Sequence, residues 1–300
     1  MPKIKFDQLH RYIFPKASVR GELVRLDESY AAILAASEYP PIIQQLMGEL
    51  MLTASLLTAT LKFEGDIAVQ LQGEGPLKYA VINGTHEQKL RGVARWDDSL
   101  SEFPKDFAGL FVKGLLVITI SPKNGERYQG MVAVDKASLA ECVQAYFAQS
   151  EQLATRVLLH TCLDKAHPLA AGLFLQILPT SSAVTDNTEI PEFDHLVHLT
   201  ETIKAEELFS LSAEEILHRL YHQEEIEVYA PQPVQFCCTC SKERSATAIA
   251  SVDKQELLEI IAKDGMVSMN CQYCHAQYQF DAIDVEAIHA GSYSSAPLTQ

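Results

Sequence analysis

The stretch "FCCTCSKER" (236–244) places Cys237, Cys238 and Cys240 within four residues, and "CQYC" (271–274) adds Cys271 and Cys274. The spacing is Cys238-x-Cys240, thirty residues, then Cys271-x-x-Cys274. Two close pairs of thiolates can close a tetrahedral four-cysteine zinc site, because Zn–S bonds of about 2.3 Å draw four sulfurs together. Cys237 with Cys240 would make the more ordinary C-x-x-C step, and spacing alone leaves that choice open. The residues between the pairs predict a helix over 253–263 and a turn at Asp264-Gly265. Residues 231–300 hold five of the seven cysteines and few large apolar side chains. A unit that small needs a staple such as a metal. A closed four-cysteine site has no open coordination position, which argues against metal catalysis. Two readings then stand: a structural zinc ribbon, or a redox switch that loses its metal on oxidation. Structural zinc contributes roughly 10–16 kcal/mol to folding in small modules, so its loss would unfold 231–290.

Upstream of this unit the texture changes twice. "YPPIIQQLMGELMLTASLLTATLKF" (39–63) carries a helical apolar stripe, with Pro40 and Pro41 in its first turn. Its segment 46–61 reads as a buried helix, too polar for a membrane span. Strands are predicted over 66–73, 77–84 and 89–95, a hairpin over 114–134, a helix over 136–153, and strands over 155–162 and 170–179. "TSSAVTDNTEIPE" (180–192) reads as a linker. Residues 189–230 carry eleven Asp/Glu against two Lys/Arg, with apolar residues at helical spacing and a capping box from Ser212 to Glu215. That stripe is too narrow to form a core, so it must lie against another surface and can leave it. The fold class expected is α+β. An N-terminal mixed α/β domain (1–180) has β-sheets and packed helices. A helical linker (181–230), a small four-cysteine zinc-binding domain (231–290) and a disordered tail (291–300) follow.

Composition narrows the function classes. The chain has 300 residues, 47% apolar and 21% charged, as an ordinary globular protein does. No secretory h-region opens it, so a cytoplasmic location with reduced thiols is expected. The net charge of −15 disfavours nucleic acid and anionic membranes as partners.

"FCCTCSKER…CQYCHAQYQF" resembles the C-terminal switch of the 33 kDa bacterial heat-shock protein family, a redox-regulated holdase chaperone. Segments 9–26, 56–84, 90–95, 125–132 and 219–229 resemble that family too, so the likeness covers essentially the whole chain. The resemblance implies zinc ligation by Cys238, Cys240, Cys271 and Cys274, one Zn2+ per reduced chain. It implies disulfides Cys238–Cys240 and Cys271–Cys274 on oxidation, zinc release, unfolding of the C-terminal region and an undocked, metastable linker. Domain 1–180 would then bind unfolding client proteins, without ATP, and dimerise when oxidised. Cys237 is an additional thiol where the family pattern needs none, and it can compete with Cys238. Cys142 matches a further thiol that does not bind metal.

Other candidates have plainer readings. "GEGP" (73–76) lacks the Lys-Ser/Thr of a phosphate loop and reads as a hairpin turn. His195 and His198 read as a solvated helix face, Cys162 as a buried inert thiol and Cys142 as core. No catalytic residue is expected. The alternative function is a zinc-ribbon nucleic-acid-binding or scaffold protein, but residues 231–300 carry eight Asp/Glu against four Lys/Arg. A thiol oxidoreductase using Cys271 and Cys274 lacks a surrounding βαβ pattern.

Overall fold

The computed structural model describes residues 4–61, 63–163, 167–178 and 191–293. The linker stretch 180–190 and the end of the predicted tail, 294–300, lie outside them. The chain divides into two units, Met1–Cys237 and Cys238–Gln300.

The larger unit begins with β1 (Gln8–Phe14), β2 (Val19–Leu26), α1 (Glu28–Leu34) and α2 (Pro41–Ala59). It continues with β3 (Gly65–Gln72), β4 (Leu77–Thr85), β5 (Lys89–Trp96), β6 (Leu115–Pro122) and β7 (Tyr128–Ala133). Next come α3 (Leu139–Tyr146), which runs into a π-helical turn, β8 (Thr155–Cys162) and β9 (Leu169–Ile177). Three short helices follow: α4 (Pro191–Glu201), α5 (Ala205–Ser210) and α6 (Ala213–Tyr221). Two-residue strands β10 (Glu227–Val228), β11 (Gln232–Pro233) and β12 (Gln235–Phe236) end the unit.

Two sheets form. One has the order β10-β1-β2-β9-β8, with β11 also on β1; the other has the order β12-β5-β4-β3-β6-β7. All pairs are antiparallel except β12 with β5. Consecutive β3 and β4 are antiparallel neighbours, so "GEGP" is the turn between them.

Helix α2 lies between the two sheets. It packs on Leu9, Val24 and Leu26 of one and on Val69, Ile82 and Leu116 of the other, within one core. A helix covered on both sides must be apolar all round. Its polar residues are answered internally: Thr53 donates to Glu49 O at 2.8 Å, and Ser55 donates to Gln88 Oε1 at 2.7 Å. By length and a mean hydropathy of 1.2, this helix is apolar enough to cross a membrane, which corrects the judgement that 46–61 is too polar. Burial identifies it as a core helix instead: 72% of that window is covered.

The first sheet is buried on both faces. Leu9, Val24, Leu26 and Phe174 point into the α2 core. Tyr12, Phe14, Val19, Leu23, Leu173 and Leu175 form a second cluster with Phe193, Leu196, Leu208, Ile216, Leu217 and Tyr221 of α4–α6. The Tyr221 ring meets Phe14 edge-on, centroids 4.9 Å apart, and its hydroxyl shares a 2.6 Å hydrogen bond with that of Thr200. Arg25 fastens the helices to the sheet: its Nη1 donates to Leu211 O at 2.6 Å, between α5 and α6.

The smaller unit holds α7 (Lys242–Ile249), α8 (Lys254–Asp264), β13 (Val267–Asn270), β14 (Gln277–Phe280) and α9 (Ala282–His289). Gly265 ends α8 at φ 85, the left-handed conformation that suits glycine at this position. The core is small: Ala246, Ile249, Leu257, Val267, Phe280, Val285 and Ile288.

Candidate metal centre

Two local structures carry the four cysteines. Cys238 and Cys240 flank Thr239, just before Ser241 caps α7. Arg244, in the first turn of that helix, reaches back: its Nη1 donates to Thr239 O at 2.9 Å and Thr239 Oγ1 at 2.7 Å. Cys271 and Cys274 lie in the turn that joins β13 to β14. That turn is closed by Cys271 N–H to Ala276 O and His275 N–H to Cys271 O, both 2.9 Å. His275 takes φ 58, so a non-glycine residue makes the left-handed step that brings the chain back.

The turn and the α7 approach bring the sulfurs together. The Sγ atoms of Cys238, Cys240, Cys271 and Cys274 all lie within 4.8 Å of one another and are half-buried. Cys238 and Cys271 are 3.6 Å apart, and Cys240 and Cys274 3.4 Å. A tetrahedron with 2.3 Å bonds has edges of about 3.8 Å, so the donor set fits a four-coordinate thiophilic ion. All seven cysteines are free thiols.

The electrostatics of the bare thiols point the same way. Burial pushes Cys238 upward. Burial and the neighbouring sulfurs push Cys274 up to about 12, against a backbone donor at Ala276. Burial would raise Cys240 too, but the Tyr278 hydroxyl and the other thiols outweigh it and bring it down to about 7. Four thiolates this close cannot all be charged without a cation to balance them.

The remaining sequence candidates fall elsewhere. Cys237 is outside the cluster; its backbone N–H donates to Leu90 O at 2.8 Å, in the larger unit. Cys142 is fully buried in the α2 core, and burial raises its pKa. Cys162 is half-buried on the edge of the second cluster. His195 pairs with Glu224 at 3.0 Å on an exposed surface. Arg244 and Tyr278 escaped the sequence reading. Tyr278 was legible only as part of "CHAQYQF", where an aromatic hydroxyl four residues past a cysteine ligand is a usable signal.

A mixed α/β unit joined to a small four-thiol unit defines a thiol-cluster protein, and comparison with known proteins gives its family. A family model described as Hsp33 protein matches residues 7–281. The chain is 65% identical over 291 residues to the 33 kDa chaperonin of Pseudoalteromonas atlantica, covering 97% of this chain and 98% of that one. It is 56% identical over 294 residues to the 33 kDa chaperonin of Shewanella sediminis, covering 98% and 99%. The crystal structure of the 33 kDa chaperonin from Thermotoga maritima shares the fold, with a TM-score of 0.79 at 21% identity over 94% of this chain and 97% of that one. The chain belongs to the Hsp33 family.

Proposed function

We propose that this protein is a redox-regulated, ATP-independent holdase, inactive when reduced and metal-bound, in which residues 181–230 act as a metastable linker between a client-binding domain (1–180) and a switch domain (231–290). The observation that carries the reading is the cover on the first sheet. Aromatic and aliphatic side chains from Tyr12 to Leu175 are capped by three short helices that precede the cysteine unit in the chain, with only two-residue strands between. Such a surface, once uncovered, binds apolar segments of unfolding proteins.

Cys238, Cys240, Cys271 and Cys274 are the ligand set in this reading, and zinc is the ion that suits four sulfur donors in a closed site. Zinc, when bound, supplies the positive charge that keeps four adjacent thiolates compatible. The switch begins with a hydroperoxide. The Cys271 thiolate attacks one peroxide oxygen, the O–O bond breaks, hydroxide leaves, and Cys271 becomes a sulfenic acid. The Cys274 thiolate attacks that sulfur, a second hydroxide leaves, and the disulfide Cys271–Cys274 forms. Cys238 and Cys240 react in the same way with a second peroxide. Each disulfide withdraws two donors, and two are too few for a closed tetrahedral site. Pairing within each motif also leaves no covalent link between the α7 approach and the β13–β14 turn. The seven-residue core alone is then too small to hold the unit folded.

The strongly negative charge opposes self-aggregation of the opened form. Homodimerisation of oxidised chains and a reducing, cytoplasmic location complete the reading. The test uses zinc-loaded reduced protein treated with peroxide at raised temperature. A chromogenic chelator follows zinc, and light scattering follows aggregation of a thermally unfolding client. Release of about one zinc per chain together with suppression, reversed by a thiol reductant with zinc, is expected. Zinc that stays bound, or leaves with no gain in suppression, would reduce the cluster to a structural ribbon.

A further inference from the structure

The phenol of Tyr278 donates to Cys240 Sγ at 3.1 Å. The side chain is held from both ends. Its strand β14 pairs with β13, Met269 opposite Tyr278, and its ring packs against the small core of the unit. Arg244 meanwhile fixes Thr239, so the Cys240 sulfur does not turn away. Peptide N–H groups of Cys240 and Ala276 also act on the sulfurs of Cys238 and Cys274. Unlike a peptide group, the Tyr278 donor belongs to a side chain, open to selection and to substitution.

We infer that Tyr278 is a positioning residue for the thiol switch, whose hydroxyl shields the Cys240 thiolate from oxidants, so that Cys240 reacts after Cys271. The inference rests on the redox-switch reading above. A hydrogen bond to a metal-bound sulfur withdraws electron density from the lone pair that attacks an electrophile. The step it slows is attack of the Cys240 thiolate on a hydroperoxide: an S–O bond forms, the O–O bond breaks, hydroxide leaves, and sulfur is oxidised to sulfenic acid as peroxide is reduced. The phenol keeps its proton throughout and loses only its acceptor.

Tyr278→Phe keeps the ring in the core and deletes the donor. Full-length zinc-loaded protein and variant are first compared for metal content and circular dichroism. Expected is one zinc per chain in both, with peroxide oxidation of Cys240 roughly three- to tenfold faster in the variant, the size of one ordinary hydrogen bond. Mass spectrometry should place the acceleration on Cys240, with Cys238 in the same molecule as reference. In the cobalt-substituted form, the sulfur-to-metal charge-transfer band should move to lower energy, which a purely structural role would not cause. Equal Cys240 rates and an unchanged cobalt spectrum would overturn the inference while leaving the switch intact. Wild-type protein that binds no stoichiometric zinc would sink both readings. Faster Cys240 oxidation without any gain in client protection would uphold the Tyr278 role and sink the switch. If Tyr278→Phe lost its metal at purification, Tyr278 would be a structural support of the site, and the inference would fail.

Discussion

The two faces of the first sheet are covered in different ways. On one, the 19-residue α2 is itself buried under a second sheet. On the other, α4, α5 and α6 have 11, 6 and 9 residues, with Glu206, Glu207, Glu214 and Glu215 in the first turns of the last two. Short helices have little stability of their own and depend on the surface beneath them. On the proposed reading, the same strands carry one permanent cover and one removable one. A chaperone reading needs this asymmetry: a rigid platform whose apolar face is hidden by the least self-sufficient part of the fold.

The largest test of this contrast is Leu50→Ala on α2 against Leu217→Ala on α6. Both side chains are buried. Leu50→Ala should cost about 2–5 kcal/mol of global stability, seen as a lower denaturant midpoint of the larger unit. Leu217→Ala should leave that midpoint nearly unchanged and speed amide exchange across 191–221. Equal shifts in the global midpoint would mean that the two faces unfold as one, and the removable-cover idea would fail.

Next in size is a pH effect on the permanent side. Glu22 is only 2% exposed, and burial raises its pKa to about 7 against the pull of Arg20 and Arg11. The unfolded chain loses this proton near 4.5, before the folded one does. Glu22 therefore contributes no penalty below pH 4.5, and stability falls as pH rises from there through about 7, by about 3 kcal/mol in all. Glu22→Gln should flatten the stability profile across that window. A slope unchanged by the substitution would assign the pH dependence to other groups.

What the sequence made legible, and what it hid, follows the same division. The second sheet alternates, as in Ile67, Val69 and Leu71 of β3, and its strands were readable by period. The hairpin β1–β2 was not assigned as strands. Its residues 21–26 are all buried, so no polar face marks a period, and Glu22 and Arg25 interrupt the apolar pattern from inside. The four cysteines were visible by spacing, and Ser212 with Glu215 by capping chemistry, because both are local. Arg25, Arg244 and Tyr278 act on chain segments that only the fold brings to them. Helix α9 was missed because its apolar residues are divided: Val285 is buried while Ile283 is 78% exposed.

Arg25→Met tests the clip between sheet and cover. Arg25 is 2% exposed, and its Nη1 bond to Leu211 O spans from β2 to the α5–α6 junction. Met keeps much of the packing and removes the charge-assisted bond, worth about 2 kcal/mol. Exchange of amides in 205–221 should rise by an order of magnitude or more, and reduced protein should gain some client protection without oxidant. If exchange rises and protection does not, uncovering the sheet face is insufficient for activity.

The smallest test matches one chemical change on the two sides. Ser138 caps α3, which packs into the α2 core, and Ser212 caps α6, which lies over the other face. Each hydroxyl accepts from the N–H three residues on, Glu141 at 3.3 Å and Glu215 at 3.2 Å. Glu215 also returns a bond, accepting from Ser212 N–H at 2.7 Å, which holds its carboxyl below the usual range. Serine to alanine costs about 1 kcal/mol at either cap. Ser138→Ala should therefore shift the global denaturant midpoint and leave exchange in 191–221 tied to it. Ser212→Ala should do the reverse, speeding exchange in 213–221 a few-fold with the midpoint in place. If Ser212→Ala moved the midpoint as far as Ser138→Ala does, α6 would be a full member of the core. The release of the cover would then have to come from global unfolding rather than from the cysteine unit.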